Sequence, residues 1–420
     1  MGTKLIILLV IVLGAIAIAQ LARVYELSNK LLDRKEHEIS NRDNIINARL
    51  MLLFGILFFV GVIYLFVHYG WAGRGDAATP HGRELDWLMN INLIIITAIF
   101  FLTNGLLFYF GYKHVKKPGV KALYYPHNNK LELLWTVVPA IVLAVIIILG
   151  LRSWNSITGD ADKEAIRLEL FSKQFDWTAR YAGLDNQLGN FDYKLTTDKN
   201  ELALLTTNTI DSAIFVMQSG PSGIDSLEAK LNNRKLVMVP EDREKMETDL
   251  SRKTRLIRLL HQMKARHNAK LDAAAWDDII QKDTLYLCTN KEYEMNFRSK
   301  DVIHSAHFPY FRAQMNTVPG LTTRFKFTPD VTTKQMRDRM GDPKFNYVLL
   351  CNKICGGSHY KMKMIVVVLG EKEYKKWYEA KQLATFKNSF FGAPVTETVT
   401  PAAASDTLAV MADTLTLVKK

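Results

Sequence analysis

Apolar and polar positions follow two regimes along this 420-residue chain. Before residue 152 the apolar positions form unbroken runs, whereas beyond Ala165 they alternate. Four runs, at 5–22, 50–69, 88–112 and 133–151, contain no Asp, Glu, Lys or Arg. Each is long enough to cross a hydrocarbon core about 30 Å thick, so the pattern predicts four transmembrane helices. Further on, Ile166, Leu168 and Leu170, then Tyr293, Met295 and Phe297, then Phe325 and Phe327 recur with period two, as strands with one buried face do. Short runs at 345–350 and 362–369 add two strands, and together these predict a β-sandwich or small barrel.

Residues 219–283 interrupt the alternation. Ser219-Gly220-Pro221-Ser222-Gly223 reads as a turn, and Met246, Leu250, Ile257 and Leu260 then recur at helical spacing. Pro240, Glu241 and Asp242 lie at the start of that stretch and Lys264 and Arg266 at its end, which suits the helix dipole and predicts an inserted amphipathic helix. Residues 386–420 turn poor in aromatics and rich in Ala and Thr, a composition that predicts a flexible tail.

Charge then orients the chain. It carries 54 Lys+Arg against 42 Asp+Glu, a net +12. No basic tract is interleaved with aromatics, which argues against nucleic acid as a partner. The loop at 113–131 holds five Lys and that at 23–49 holds six Lys/Arg, whereas 72–87 has only Arg74 and Arg83. By the positive-inside rule both basic loops are cytoplasmic, so the N-terminus and the large C-terminal domain lie outside. Lys4 and Ala17-Ile18-Ala19 also fit a signal peptide, but cleavage there would put the 23–49 loop on the wrong side. The reading is therefore a retained helix. Three Cys exclude a disulfide scaffold, and Cys288, with no second Cys nearby, reads as a buried thiol.

The chemistry concentrates in Cys351-Asn352-Lys353-Ile354-Cys355-Gly356-Gly357-Ser358-His359-Tyr360-Lys361-Met362. Two thiols, an imidazole and a thioether within twelve residues point to copper more than to zinc, calcium or magnesium. Gly356 and Gly357 permit the tight fold that makes these donors converge. Upstream, His304 in Asp301-Val302-Ile303-His304 supplies a second imidazole. A Cys351–Cys355 disulfide, and a zinc site on both thiols with His304 and His359, remain open, though neither uses Met362. Met362 is also open to a role in core packing alone.

The pattern Cys-x-x-x-Cys-x-x-x-His-x-x-Met with an upstream Asp-Val-x-His resembles the binuclear CuA centre of cytochrome c oxidase subunit II. Residues 127–139, from His127-Asn128-Asn129 through Glu132 to Pro139, are similar to that family's lead into its second transmembrane helix, and Gln174-Phe175-Asp176-Trp177 with Tyr181 is similar to its aromatic stretch. The resemblance implies an α-helical transmembrane anchor plus an all-β cupredoxin-like domain, a Greek-key β-sandwich with a helical insertion. Under it Cys351 and Cys355 bridge two coppers, His304 and His359 cap one each, Met362 binds one weakly and the carbonyl of Lys353 serves the other. The implied partners are a c-type cytochrome or cytochrome c domain as electron donor, free or within a supercomplex, and the catalytic subunit I, which carries haem and a further copper, with other oxidase subunits and membrane lipid around them. The implied location is the bacterial inner membrane, with the CuA domain periplasmic.

The divisions that follow are 1–49 and 50–87 as two extra transmembrane regions, 88–152 as the family's helix hairpin, 153–385 as the CuA domain and 386–420 as the tail. Departures from the family are informative. Lys353 stands where the family usually has Glu, whose carboxylate reaches an interface magnesium. Phe175 stands where Trp commonly receives the electron, with Trp177 two residues on. Residues 153–420 are net basic, with 39 Lys+Arg against 33 Asp+Glu, where mitochondrial-type members present acid to a basic cytochrome. Glu132 matches the family's Glu at the mouth of a proton channel, and it also has capping-box spacing from Asn129. A quinol oxidase subunit would lack the copper ligands, and a copper-delivery module would lack the 132–139 and 174–181 stretches.

Overall fold

The long apolar runs form helices, and most of their described side chains are left open. This computed structural model describes residues 2–31, 40–70 and 75–392. Its first helices are α1 (Gly2–Leu31), α2 (Asn41–Tyr69), α3 (Pro80–Lys113) and α4 (Asn129–Thr158). Among the described residues α2, α3 and α4 are long and apolar enough to cross a membrane, and no more than 6% of each apolar window is buried within the protein. Apolar surface left this open is suited to lipid or to neighbouring helices. The expected span at 5–22 is helical throughout, within α1.

The alternating part forms ten strands: β1 (Ile166–Lys173), β2 (Asp176–Tyr181), β3 (Ile279–Lys282), β4 (Thr284–Cys288), β5 (Tyr293–Ser299), β6 (His304–Phe308), β7 (Ala313–Thr317), β8 (Thr323–Phe327), β9 (Tyr347–Cys351) and β10 (Lys363–Leu369). They make two five-stranded sheets, ordered β3-β2-β1-β5-β8 and β4-β10-β9-β6-β7. The β1–β5 and β4–β10 pairs are parallel and the other ladders antiparallel. The inward residues of both sheets, among them Leu168, Leu170, Trp177, Met295, Phe297, Phe325, Leu349 and Val366, join one core. The period-two pattern and the sandwich it implied are therefore present.

The insertion is larger than its pattern suggested. It is the whole connection between β2 and β3, and it carries α5 (Thr207–Ser219), α6 (Ile224–Asn232), the expected helix α7 (Pro240–Arg266) and α8 (Ala273–Trp276). Leu195, Ile210, Ala213 and Leu260 form a small core of their own. The sequence signal for α5 was hidden because its capping pair is Thr206 with Thr209 rather than an acid or amide.

The insertion is tied to the outer face of the first sheet by buried charge. Arg180 donates to Glu169 and Asp278 at 2.5 and 2.6 Å, and Arg298 donates to Glu169 at 2.6 and 3.0 Å and to the Leu202 carbonyl at 3.0 Å. All four side chains are buried. Burial alone would raise the Glu169 pKa, but the two guanidinium groups outweigh it and hold the carboxyl down to about 2.

Three further helices complete the described residues: α9 (Thr333–Met340), α10 (Glu371–Lys381) and α11 (Phe386–Phe391). The last corrects the expected start of the tail, because Phe386 is buried and stacks on Trp276 with ring centroids 5.3 Å apart. Residues 393–420 lie outside the described residues.

Contacts divide the chain into two units, Met1–Arg74 with Leu88–Ile147, and Gly75–Trp87 with Ile148–Lys420. Within the second unit the short segment Gly75–Trp87 is bound to the β domain. Ala78 N donates to the Tyr310 carbonyl at 2.8 Å, and Arg312 forks onto Asp86 at 2.9 and 3.0 Å and reaches the Gly75 carbonyl at 2.9 Å.

Candidate metal centre

Strand pairing brings the two ligand-bearing segments together. Ala306 of β6 faces Cys351 at the end of β9, and Asn352 N donates to the Ser305 carbonyl at 3.0 Å. His304, the first residue of β6, thereby lies beside Cys351. The chain then loops from Cys351 to β10 through a 3-10 turn at His359–Lys361, and Cys351 N closes the loop onto the Met362 carbonyl at 3.1 Å.

At the centre the sulfurs of Cys351 and Cys355 are 3.9 Å apart, and both cysteines are free. That separation is far beyond a disulfide bond, which measures about 2 Å. His304 Nδ1 is 3.8 Å from the Cys351 sulfur, and His359 Nδ1 is 3.5 Å from the Cys355 sulfur. The Met362 sulfur lies 3.9 Å from Cys355 Sγ, and the Lys353 carbonyl accepts from Cys351 Sγ at 3.2 Å. The ligating atoms of His304, Cys351 and Cys355 all fall within 4.8 Å of one another. The six groups expected from the sequence gather around the two sulfurs, each within 3.9 Å of one of them. Six donors exceed the four of a tetrahedral zinc site, and two thiols with a thioether make the set soft.

The surroundings are dry on the core side. His304 and Trp177 are completely buried, and their rings meet edge to face with centroids 6.2 Å apart. Burial, followed by the adjacent Cys351 thiol, pushes the Cys355 thiol up to about 11, so without metal it keeps its proton. The solvent side carries Ile354 and Tyr360, both prominently exposed.

Three residues hold the ligands: Gly356, which the sequence already marked for the tight fold of the loop, and Asp301 and Gln174, which stand in its motifs without an assigned role. Asp301 Oδ1 lies 2.9 Å from His304 Nε2, which leaves Nδ1 to face the sulfurs. Burial alone would raise the Asp301 carboxyl, but the hydrogen bonds to His304 and to the Gln174 and Val302 amides outweigh it and hold the carboxyl below its ordinary range. Gln174 bonds both Asp301 and the Cys355 carbonyl. Gly356, at φ +144°, gives room to that contact: a Cβ there would come within 2.9 Å of both Gln174 Nε2 and the Phe175 ring. The i, i+3 spacing of Asp301 and His304 was the available signal for Asp301. Nothing local marks the role of Gln174.

The remaining candidates separate. Phe175 is half-buried beside Gly356, in the turn between β1 and β2. Trp177 offers no surface, being wholly buried in the sandwich. Lys353 is exposed. Glu132 lies in the first turn of α4, and the cap it belongs to starts one residue earlier than its spacing suggested: Asn128 Oδ1 accepts from Leu131 N at 3.1 Å, and Asn128 N donates to Glu132 Oε1 at 3.4 Å. Cys288 is a buried thiol.

Residues 70–153 match the family described as cytochrome C oxidase subunit II, transmembrane domain. The alternative cytochrome c oxidase subunit 2 of Bradyrhizobium diazoefficiens is 25% identical over 322 residues, 76% of this chain and 87% of that protein. In its membrane segment and over most of its length the chain is similar to cytochrome c oxidase subunit II. Cytochrome c oxidase subunit 2 of Thermostichus vulcanus is 23% identical over 339 residues, covering 77% of this chain and 84% of that one. The periplasmic domain of subunit II of cytochrome oxidase of Bradyrhizobium japonicum aligns with a TM-score of 0.26 at 14% identity, covering 53% of this chain and 97% of that domain. The matched subunit II membrane domain begins where α2 ends, so α1 and α2 precede it. With three helices among the described residues able to span a bilayer, the chain is a membrane protein.

Proposed function

We propose that this chain is subunit II of an aa3-type or related cytochrome c oxidase, and that His304, Cys351, Cys355, His359, Met362 and the carbonyl of Lys353 hold a binuclear copper centre. The observation that carries the reading is the pair of buried thiols 3.9 Å apart, each with its own imidazole nitrogen within 3.8 Å. Cys351 and Cys355 would hold the copper from the centre, with His304, His359, Met362 and the Lys353 carbonyl around them, and the metal would supply one-electron uptake and release.

In this reading the protein's own groups set the conditions. Asp301 fixes which nitrogen of His304 faces the sulfurs, and Trp177 keeps water from that side. Electrons come from a c-type cytochrome at the periplasmic face of a bacterial inner membrane, and Phe175 is the side chain assigned to meet the donor. They leave for haem in the catalytic subunit, where oxygen is reduced and protons are pumped. Glu132 is assigned to the mouth of a proton channel, Lys353 to carboxylates of the catalytic subunit in place of a magnesium ion, and α1 and α2 to further subunits.

Metal analysis and EPR of the purified full chain test this. Two copper equivalents with a mixed-valence two-copper signal are expected, and Cys351→Ser or Cys355→Ser should each abolish that signal. A single blue-copper signal would instead make the protein a copper-delivery module, and a chain that takes up no copper would overturn the reading.

A further inference from the structure

The ligands occupy one sheet, but the residue that ties them together stands on the other. Gln174 lies in the turn joining β1 to β2, in the first sheet, whereas His304 and the cysteine loop belong to β6, β9 and β10 of the second. Its main-chain N–H donates to Asp301 Oδ2 at 2.7 Å, and the other oxygen of that carboxylate holds His304 Nε2 at 2.9 Å. Its side-chain amide donates to the Cys355 carbonyl at 2.5 Å. One residue thus grips both ligand-bearing segments, which lie 127 and 181 positions further along the chain.

Each grip falls where a segment has left its sheet. Asp301 lies in the connection between β5 and β6, and Cys355 lies in the loop beyond β9, past the last β6–β9 contact at Asn352. Gly356, next to Cys355, has no Cβ that would push the turn away. A ligand's exact placement depends on such supporting bonds, and their loss typically costs 10–100-fold in metal affinity.

We infer that Gln174 is a positioning residue that clamps the His304 segment and the Cys355 loop into one metal centre, an inference that rests on the copper reading above for its spectroscopic consequences but not for the clamp itself. The test uses the full chain in detergent, with and without copper. Gln174→Met keeps the length and the main-chain donor but removes the amide, Gln174→Glu sets an acceptor against the carbonyl, and Gln174→Lys restores an N–H donor.

In the copper-free protein, hydrogen exchange across 351–362 should be about tenfold faster in the Met and Glu variants, and the Lys variant should recover much of the protection. With copper, the Met and Glu variants should bind about 10–100-fold more weakly and show a shifted visible spectrum, with partial return in the Lys variant. Exchange and affinity within twofold of wild type in the Met and Glu variants would overturn the clamp. Equal losses in all three variants would overturn it too, since they would tie the effect to side-chain shape rather than to the donor. If the wild-type chain bound no copper, the proposed function would fail, while the hydrogen-exchange comparison would still decide the clamp.

Discussion

Asp301 and His304 form a hydrogen-bonded pair, carboxylate Oδ1 to imidazole Nε2 at 2.9 Å, and that bond decides which ring nitrogen faces the Cys351 sulfur at 3.8 Å. The carboxylate fixes the tautomer and the ring orientation together.

The first expectation concerns this pair. Asp301→Ala should lower copper affinity of the full chain about 10–100-fold, and Asp301→Asn, which keeps a hydrogen-bonding group, should lose less. Competitive copper titration against a chelator measures both. Equal affinity in all three proteins would remove Asp301 from the site.

Gly356 should tolerate no side chain. Its φ of +144° is strained for an L residue, and an added Cβ meets Gln174 and Phe175 at 2.9 Å. Gly356→Ala should therefore destabilise the β domain by about 1–3 kcal/mol and release copper faster. Thermal unfolding followed by near-ultraviolet circular dichroism, with copper release into a chelator, reads the two effects separately.

The buried charge network gives a pH dependence. Glu169 is held down to about 2 against an ordinary 4.5, so it binds fewer protons folded than unfolded in that interval. Its stabilisation is full above about pH 4.5 and is lost as pH falls toward 2. Glu169→Gln should cost about 3–5 kcal/mol at neutral pH, because Arg180 and Arg298 lose their shared buried partner. The variant's stability should also fall less steeply between pH 4.5 and 2 than that of the wild type, as measured by unfolding across that range.

Charge at the metal loop predicts the kind of donor. Lys353, Lys361 and Lys363 are exposed, none has an ion pair among the described residues, and the 351–363 stretch contains no Asp or Glu. Electron transfer from an acidic c-type cytochrome should slow as ionic strength rises from about 0.01 to 0.15 M. Lys361→Glu should reduce both the low-salt rate and its salt dependence in stopped-flow measurements. A donor rate that rises with salt in the wild type would reverse the assignment.

Much of this protein was legible along the chain. Unbroken apolar runs become helices because the backbone must satisfy its own hydrogen bonds where water is absent, and the period-two stretches became strands with their apolar side inward. The donors of the 351–362 loop also had to converge, because their spacing within one short loop leaves them little room to do otherwise. Helix α5 and the docked start of α11 were not legible, since neither has a strong local signal and both are held by packing.

What the sequence determined alone is the set of groups able to bind metal and the membrane-and-sandwich plan that carries them, because both rest on contacts between near neighbours or on simple periodicity. Only the tertiary structure decided that Trp177 is walled in, that Asp301 selects the nitrogen of His304, and that Gln174 spans two sheets to hold both loops. Those relations join residues far apart in the chain, and their geometry follows from strand order and register, which no local spacing encodes.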